Sequence, residues 1–289
     1  MVTSTPIHGT PESTATIRAM LQSQVCKYED FLTPEFLAWR RALAGYHPLP
    51  DREPPITVHR KMWEWLFTLQ ALKERGMLEP GKTGIGFGVG KEPLVALFAK
   101  EGATIRATDL DPKQARENGW LDSGVEYAQS IEELNMYGLC DPEQFRRLVA
   151  YSYIDMNHLP EEHDLYDFSW SSCAFEHLGN LHAGMNFVIN QMDFVKPGGY
   201  SVHTTEFNVS SNLRTVVNGG TVLYRKRDIE GLAKRLRKLG YGVDLDLTLG
   251  TTPDDLHIDT PPFGDRTHLK VRLEQFVTTS VALIIQKPA

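Results

Sequence analysis

Four glycines alternate within one short segment of the chain, at Gly84, Gly86, Gly88 and Gly90. A strand that turns sharply into a helix needs residues without a Cβ atom, and a ligand lying against that backbone needs the same. A tight turn without a ligand is the alternative, but such a turn does not require four alternating glycines. The pattern therefore favours a small-molecule site at a strand-to-helix turn.

The spacing of the glycines indicates which ligand they suit. A dinucleotide fingerprint has the form GxGxxG, which brings a pyrophosphate to a helix N-terminus. The sixth position falls on Val89, Lys91 or Pro93 in the three possible registers, so this fingerprint is absent. Asp109 follows at about the distance, 20 residues, at which an acid can accept both ribose hydroxyls. That role is common to NAD and S-adenosylmethionine sites, so Asp109 alone does not separate them.

Acidic and histidine side chains follow two later predicted strands, at Glu176, His177, His203 and Glu206. Ligands of open α/β sheets bind at the carboxyl ends of the strands, where these residues would lie. His177 is the first candidate for a general base and Glu206 the second, while Glu176 and His203 are further candidates. The alternatives are a helix-packing His177, a core His203 and a surface Glu206. The same four residues could hold a divalent cation, but no pair has a diagnostic spacing, and the sequence assigns no metal ligand.

Strands and helices alternate from residue 81 onward, which predicts a doubly wound α/β domain over residues 81–289. The predicted strands are Thr83–Gly86, Thr104–Thr108, Leu165–Ser172, Tyr200–Thr205, Val243–Leu249 and Gln275–Gln286, and the predicted helices are Glu92–Lys100, Leu181–Phe194 and Asp228–Leu239. This order predicts a mostly parallel sheet covered by helices. The polar segment 250–270 is longer than a hairpin turn and is expected to be functional or mobile.

Residues 1–80 have a different pattern and are predicted to form a tail followed by a helical cap. Thr16–Tyr46 reads as helical with a break at Pro34, and four prolines follow within residues 47–55. Val58–Arg75 places leucines on one face and ends before Gly76, which predicts a second helix. The stretch Tyr127–Arg147 is predicted to be an inserted helical piece.

These features together resemble the class I S-adenosylmethionine-dependent methyltransferases, over roughly residues 81–208 and the final strand pair. The glycine run matches the first motif of that family, and Asp109 matches its ribose-binding acid. The segments Tyr153–Pro160, Tyr166–Ser172, Phe175–Leu178 and Val195–Gly199 match later motifs in the same order. The resemblance implies a seven-stranded Rossmann-like sheet and methyl transfer from S-adenosylmethionine. It also implies cofactor contacts from Gly84, Gly86, Gly88, Gly90, Asp109, Asp155, Met156 and Ser172.

The first motif of the family usually opens with an acid that holds the methionine end of the cofactor. Gly84 stands at that position in this chain. Lys91 and Glu92 are the candidates to replace the missing acid. A non-catalytic cofactor-binding protein and an NAD(P)-dependent oxidoreductase remain the alternatives to a methyltransferase.

The charge and composition of the chain indicate which kinds of partner the protein is expected to have. A net charge of −7 argues against a nucleic-acid partner, and no apolar run reaches the length of about 20 residues that a membrane span needs. Three dispersed cysteines suit a reducing cytoplasm. The segment 250–270 offers polar groups, namely Asp254, Asp255, His257, Asp259, Asp265, Arg266 and His268, and one aromatic, Phe263. We therefore expect a hydroxylated small-molecule or saccharide acceptor and O-methylation, with the oligomeric state left open.

Overall fold

The computed structural model describes residues 20–43, 58–117, 119, 127–264 and 267–289. The helices in these ranges are α1 (Pro34–Ala42), α2 (Arg60–Lys73), α3 (Leu94–Glu101), α4 (Pro112–Glu117), α5 (Pro142–Leu148), α6 (Leu181–Asn190), α7 (Lys226–Lys238) and α8 (Pro253–Leu256). Short 3-10 helices cover Tyr28–Leu32, Ile131–Asn135, Phe175–His177 and Gln191–Phe194. None of the described helices combines the length and the apolar character needed to cross a bilayer.

In the described part of the chain, eleven strands form one sheet. They are β1 (Ser23–Val25), β2 (Thr83–Phe87), β3 (Thr104–Asp109), β4 (Val149–Tyr153), β5 (Tyr166–Ser172), β6 (Val195–Asn208), β7 (Tyr224–Arg225), β8 (Leu245–Asp246), β9 (Ile258–Asp259), β10 (Lys270–Leu273) and β11 (Phe276–Gln286). Its main path runs β4-β3-β2-β5-β6-β11-β1-β8. The first five strands of that path are parallel, and β11 runs antiparallel to β6. The prediction of a mostly parallel α/β sheet is confirmed.

Apolar side chains cover both faces of this sheet, as a doubly wound fold requires. On one face, α2, α3 and α5 pack into a core that includes Phe168 and Trp170 of β5. The ring of Phe98 from α3 meets both of these rings edge-on, at centroid distances of 5.6 and 4.8 Å. On the other face, α6 and α7 pack over Phe87 of β2.

Two of the four alternating glycines make room for that aromatic core. A Cβ atom on Gly84 would lie 2.2 Å from the ring of Phe168, and one on Gly86 would lie 2.3 Å from the indole of Trp170. Both positions lie inside β2, before the turn begins. Packing between neighbouring strands therefore explains the absence of a side chain at these two positions.

The N-terminal segment contributes to the sheet, and the prediction of a helix from residue 16 is wrong for residues 23–25. Strand β1 lies between β11 and β8. The hydroxyl of Ser23 donates to the carbonyl of Ile284 at 3.3 Å and accepts from the N–H of Ile284 at 2.9 Å. Pairing with a distant strand overrides the local helical pattern. Of the predicted strand at 243–249, only Leu245–Asp246 forms a strand, β8. The place beside β11 is taken by β1.

The second helix of the predicted cap packs directly on the main sheet. Met62, Leu66 and Phe67 of α2 belong to the same buried core as the aromatic side chains of β5. The division into a cap over residues 1–80 and a domain over residues 81–289 stays a prediction. The expected tail and proline-rich linker fall almost wholly on residues outside the described ranges.

The segment 250–270 is ordered locally where it is described. It contains α8 and β9, and Asp255 caps α8 through Thr252 while also accepting from the N–H of Tyr28 at 2.8 Å. Its acidic side chains hold turns and neighbouring backbone, and the functional role expected for this segment stays a prediction. Asp265 and Arg266, two of the expected acceptor contacts, lie outside the described residues.

Replacing Gly86 with Ala is expected to destabilise the fold, because the new Cβ would collide with the buried indole of Trp170. We expect the free energy of unfolding to fall by about 1–3 kcal/mol, the usual cost of overpacking a core. Gly231→Ala is the matched control, since Gly231 is exposed in α7 with open space around it. The control should be neutral or raise stability by up to about 1 kcal/mol. Urea denaturation measures both variants, and equal stabilities would contradict the packing role.

Candidate functional site

The remaining two glycines form the turn that leaves β2 at the carboxyl edge of the sheet. Gly88 has φ +60° and Gly90 has φ +51°, conformations that side-chain-bearing residues rarely adopt. The N–H of Gly90 donates to Oδ2 of Asp109 at 3.0 Å, and the N–H of Leu110 donates to Oδ1 at 2.8 Å. Each carboxylate oxygen keeps a lone pair that can accept a further hydrogen bond.

The environment of Asp109 affects its protonation. Burial raises the pKa of its carboxyl to about 6, against the lowering effect of the two backbone donors from Gly90 and Leu110. The carboxyl is therefore mostly ionised at neutral pH and titrates just below it. The neighbouring Asp111 accepts from the N–H of Lys113 at 2.9 Å, which makes it the cap of α4.

The glycine turn packs closely against the segments that follow β4 and β5. A Cβ atom on Gly88 would lie 3.0 Å from Cβ of Ala174 and 3.3 Å from Sδ of Met156. Met156 also lines a groove of about 700 Å³ that continues between the segment 156–163 and α6. Asp155 accepts from the N–H of Asn157 and contacts Nδ1 of His158 at 2.7 Å. The predicted cofactor residues after β3 and β4 thus lie at one edge.

Helix α2 brings a buried group of charges to the ends of β5 and β6. Nη2 of Arg60 lies 2.5 Å from Oε1 of Glu206, and its Nη1 lies 3.7 Å from Oε1 of Glu64. Nζ of Lys61 lies 3.8 Å from the other oxygen of Glu64. Two cations on α2 therefore face carboxylates from α2 and from β6.

Glu64 is fully buried and is the centre of this group. It accepts hydrogen bonds from the hydroxyl of Thr204 at 3.0 Å, the hydroxyl of Ser280 at 2.5 Å and the thiol of Cys173 at 3.2 Å. Burial by itself raises the pKa of Glu64, but Lys61 and then Arg60 outweigh it, and the pKa is lowered. Glu64 is therefore ionised, and its hydrogen bonds hold α2 against β6, β11 and the end of β5.

Three further carboxylates near this group have unsatisfied oxygens. Among the described residues, Oε1 of Glu176, Oε2 of Glu206 and Oε2 of Glu92 are buried without a hydrogen-bond partner. Oε2 of Glu176 accepts from the hydroxyl of Thr205 at 2.9 Å, and burial raises the pKa of this carboxyl. Burial also raises the pKa of Glu92 to about 8, although nearby Lys61 acts in the opposite direction. Unsatisfied buried oxygens of this kind mark a place where a ligand can donate.

The two candidate histidines hydrogen-bond to hydroxyl groups and to a backbone carbonyl, and His177 lies close enough to Glu176 to oppose the effect of burial on the pKa of that carboxyl. His203 is completely buried, with Nδ1 2.7 Å from the hydroxyl of Ser171 and Nε2 2.6 Å from that of Ser201. Burial lowers the pKa of His203 to about 3, so the ring is neutral. Nδ1 of His177 donates to the carbonyl of Gly220 at 2.7 Å. The four-residue metal set considered from the sequence is not assembled, because both rings bond elsewhere.

The segment 250–270 reaches the same region through the first residues of α2. His268 contacts Asp259 at 2.7 Å through Nδ1, and its ring stacks on that of His59 at a centroid distance of 4.3 Å. The N–H of Arg60 donates to the carbonyl of His268 at 3.0 Å. Asp259 and His268 therefore fix where α2 begins, next to the charged group.

The sequence predictions did not include Arg60, Lys61, Glu64 or Cys173 in the site. One signal was available, because α2 is otherwise rich in buried apolar side chains and Glu64 stands between Trp63 and Trp65. A carboxylate in such a helix is costly unless it is paired, and so it indicates a site. Cys173 carries no comparable signal in the sequence.

Removing the guanidinium of Arg60 should be strongly destabilising, because it leaves Glu206 and Glu64 buried with less compensating charge. We expect Arg60→Met to lower the free energy of unfolding by about 3–5 kcal/mol. The double variant with Glu206→Gln should recover part of this loss. The control Lys226→Met breaks an exposed pair with Glu230 and should change stability by less than about 0.5 kcal/mol. Equal denaturation midpoints for the Arg60 and Lys226 variants would refute the role assigned to the buried ion pair.

Comparison with known proteins gives matches among solved structures. No protein-family model and no curated protein matches the chain. A protein assigned as a sarcosine dimethylglycine methyltransferase from Galdieria sulphuraria is 17% identical, with a TM-score of 0.46, over 79% of this chain and 85% of that chain. Magnesium protoporphyrin IX methyltransferase from Synechocystis, solved with bound SAH, is 13% identical, with a TM-score of 0.43, over 90% and 97%. An S-adenosylmethionine-dependent methyltransferase from Aquifex aeolicus is 14% identical, with a TM-score of 0.41, over 76% and 88%.

With TM-scores below 0.5, these likenesses indicate neither an acceptor nor an activity for this chain. The order of the strands within this chain is independent of those comparisons. Five parallel strands are followed by antiparallel β11, and a glycine turn leaves β2 at the centre of the sheet. The chain therefore has a doubly wound α/β fold of the Rossmann-like type.

Proposed function

We propose that the protein transfers a methyl group from S-adenosylmethionine to a small-molecule acceptor. The observation that carries the proposal is the contact between the glycine turn and Asp109. It places a buried, largely ionised carboxylate with free lone pairs beside a turn that exposes backbone. Ligands of open α/β sheets bind at this edge, and a ribose diol suits such a carboxylate.

Each cofactor residue inferred from the family resemblance then contacts a different portion of S-adenosylmethionine. Asp109 accepts from the ribose hydroxyls, and Asp155 and Met156 line the adenine side, where the groove opens. Ser172 lies toward the methionine end, next to Glu64. Glu92 replaces the acid that is missing at Gly84, since its buried and unpartnered oxygen can accept from the ammonium of the cofactor. This assignment gives the methionine end a carboxylate from a different position.

The acceptor binds against the buried charged residues of α2 and of the ends of β5 and β6, namely Arg60, Lys61, Glu64, Glu176 and Glu206. The sulfonium methyl is already activated, so the main task is to place a nucleophile in line with the S–CH3 bond. The acceptor oxygen forms the new O–CH3 bond as the S–CH3 bond breaks, and a base takes the hydroxyl proton. Glu176 serves as that base, because it has an unpartnered oxygen and burial raises its pKa, which makes its carboxylate a stronger base. Glu206, held by Arg60, orients a second hydroxyl of a small-molecule or saccharide acceptor.

Calorimetry of purified protein should detect binding of S-adenosylmethionine and S-adenosylhomocysteine and none of NADH. Asp109→Ala should weaken both by roughly 10- to 100-fold, since hydrogen bonds to a charged group contribute about 1.5–3 kcal/mol. Asp111→Ala is the matched control, because Asp111 caps α4, and it should leave affinity unchanged. Binding of NADH in place of the sulfur compounds would support the oxidoreductase alternative. Binding without turnover on any hydroxylated acceptor would support a non-catalytic protein.

Affinity for S-adenosylmethionine should also depend on pH through Asp109. Its pKa of about 6 means that the carboxylate, which accepts from ribose, is lost as pH falls below that value. If only the ionised form binds, the dissociation constant rises up to about tenfold for each pH unit below the pKa. Titrations on both sides of this pKa measure the effect. Asp109→Asn should bind weakly with a flat profile, and the same acid-side slope in that variant would assign the titration to another group.

A further inference from the structure

The thiol of Cys173 and the carboxylates of Glu176 and Glu206 lie together beside the buried charged residues of α2. Sγ of Cys173 and one oxygen each of Glu176 and Glu206 all lie within 4.8 Å of one another. The three residues are 7%, 0% and 5% exposed. They come from the end of β5, the following 3-10 helix and β6, so three separate stretches of chain converge on one point.

Two carboxylate oxygens of these residues have no protein partner in the described part of the chain. Oε1 of Glu176 and Oε2 of Glu206 are both buried and without a hydrogen-bond partner. A buried charged acceptor without a donor is unfavourable. Two carboxylates with such oxygens beside a thiol are a set of donor groups for a cation.

We propose that Cys173, Glu176 and Glu206 bind a divalent transition-metal ion of the zinc type. Thiolate and carboxylate together suit Zn²⁺, whereas Mg²⁺ takes oxygen ligands and does not favour sulfur. Three protein ligands leave a fourth position of a tetrahedral site for water or for a donor atom of a small molecule. Because the proposed function assigns the same two carboxylates to the acceptor, the ion and a directly bound acceptor exclude each other at these oxygens, and the metal site is tested by binding of the metal alone.

Neighbouring side chains already hold the three ligands in place. The hydroxyl of Thr205 bonds the second oxygen of Glu176, and Arg60 bonds the second oxygen of Glu206. In each case the partner leaves the unpaired oxygen free for the metal. Outer contacts of this kind orient the ligands of metal sites in proteins.

The local charges are also compatible with a dication. Arg60 and Lys61 supply two positive charges to the group, and its three buried glutamates with the thiolate of Cys173 supply four negative charges. One divalent ion brings the total to neutrality. Binding displaces the thiol proton, which at present is donated toward Glu64, and that proton leaves to solvent.

The test uses full-length protein, dialysed against a chelator and titrated with Co²⁺ as a spectroscopic substitute for Zn²⁺. We expect a thiolate-to-cobalt charge-transfer band that Zn²⁺ abolishes and that excess Mg²⁺ leaves unchanged. The double variant Cys26→Ser/Cys140→Ser keeps Cys173 as the only thiol of three and should retain the band. Glu176→Gln should weaken Zn²⁺ binding by at least about tenfold.

Several outcomes would overturn the site. A wild-type Co²⁺ complex without the band would exclude thiolate coordination, loss of the band in the folded double cysteine variant would exclude Cys173 as its source, and displacement by Mg²⁺ would exclude a site selective for a zinc-type ion. Full Zn²⁺ affinity in Glu176→Gln would exclude that ligand. Circular dichroism of each variant checks that it is folded. Should the double variant not fold, each single cysteine variant, Cys26→Ser and Cys140→Ser, must keep the band.

Discussion

The buried carboxylate of Glu64 is the constraint on which the arrangement of this site depends. An ionised group cannot remain inside a protein unless charges and hydrogen-bond donors surround it. Arg60 and Lys61 supply the charges from the same helix, while Thr204, Ser280 and Cys173 supply donors from two strands and a strand end. Because these donors are fixed in the sheet, α2 can sit in only one position over the strand ends.

That anchoring also explains why glutamates and not histidines surround the proposed reaction centre. His203 is on β6, but both its nitrogens are used by serines inside the core. The strand carries Glu206 near its buried carboxyl end, where one oxygen of this carboxylate pairs with Arg60. Burial raises the pKa of Glu176 and Glu92, a shift that exposed carboxyls would not show. The site is therefore a set of desolvated acids whose charge is balanced by one helix.

Local sequence patterns predicted the parallel sheet and the glycine turn well, because both depend on neighbours in the chain. They failed where distant segments decide the outcome. Strand β1 is only three residues long and exists through its partner β11. Gly84 and Gly86 look like ligand-binding glycines until the rings of β5 are seen behind them. Glu64 and Cys173 are 109 positions apart, and no spacing rule connects them.

The position of β1 has a consequence for how the protein is made. Its partners in the sheet include Val281 and Ala282, which are synthesised long after it. Likewise, the carboxylate of Glu64 on α2 has all its hydrogen-bond donors only after Ser280 has been synthesised. Such long sequence separations slow folding, because chain entropy is lost before the contacts form. Strand β1 must therefore stay unpaired until β11 has been synthesised, and this side of the sheet closes only when these two distant segments meet.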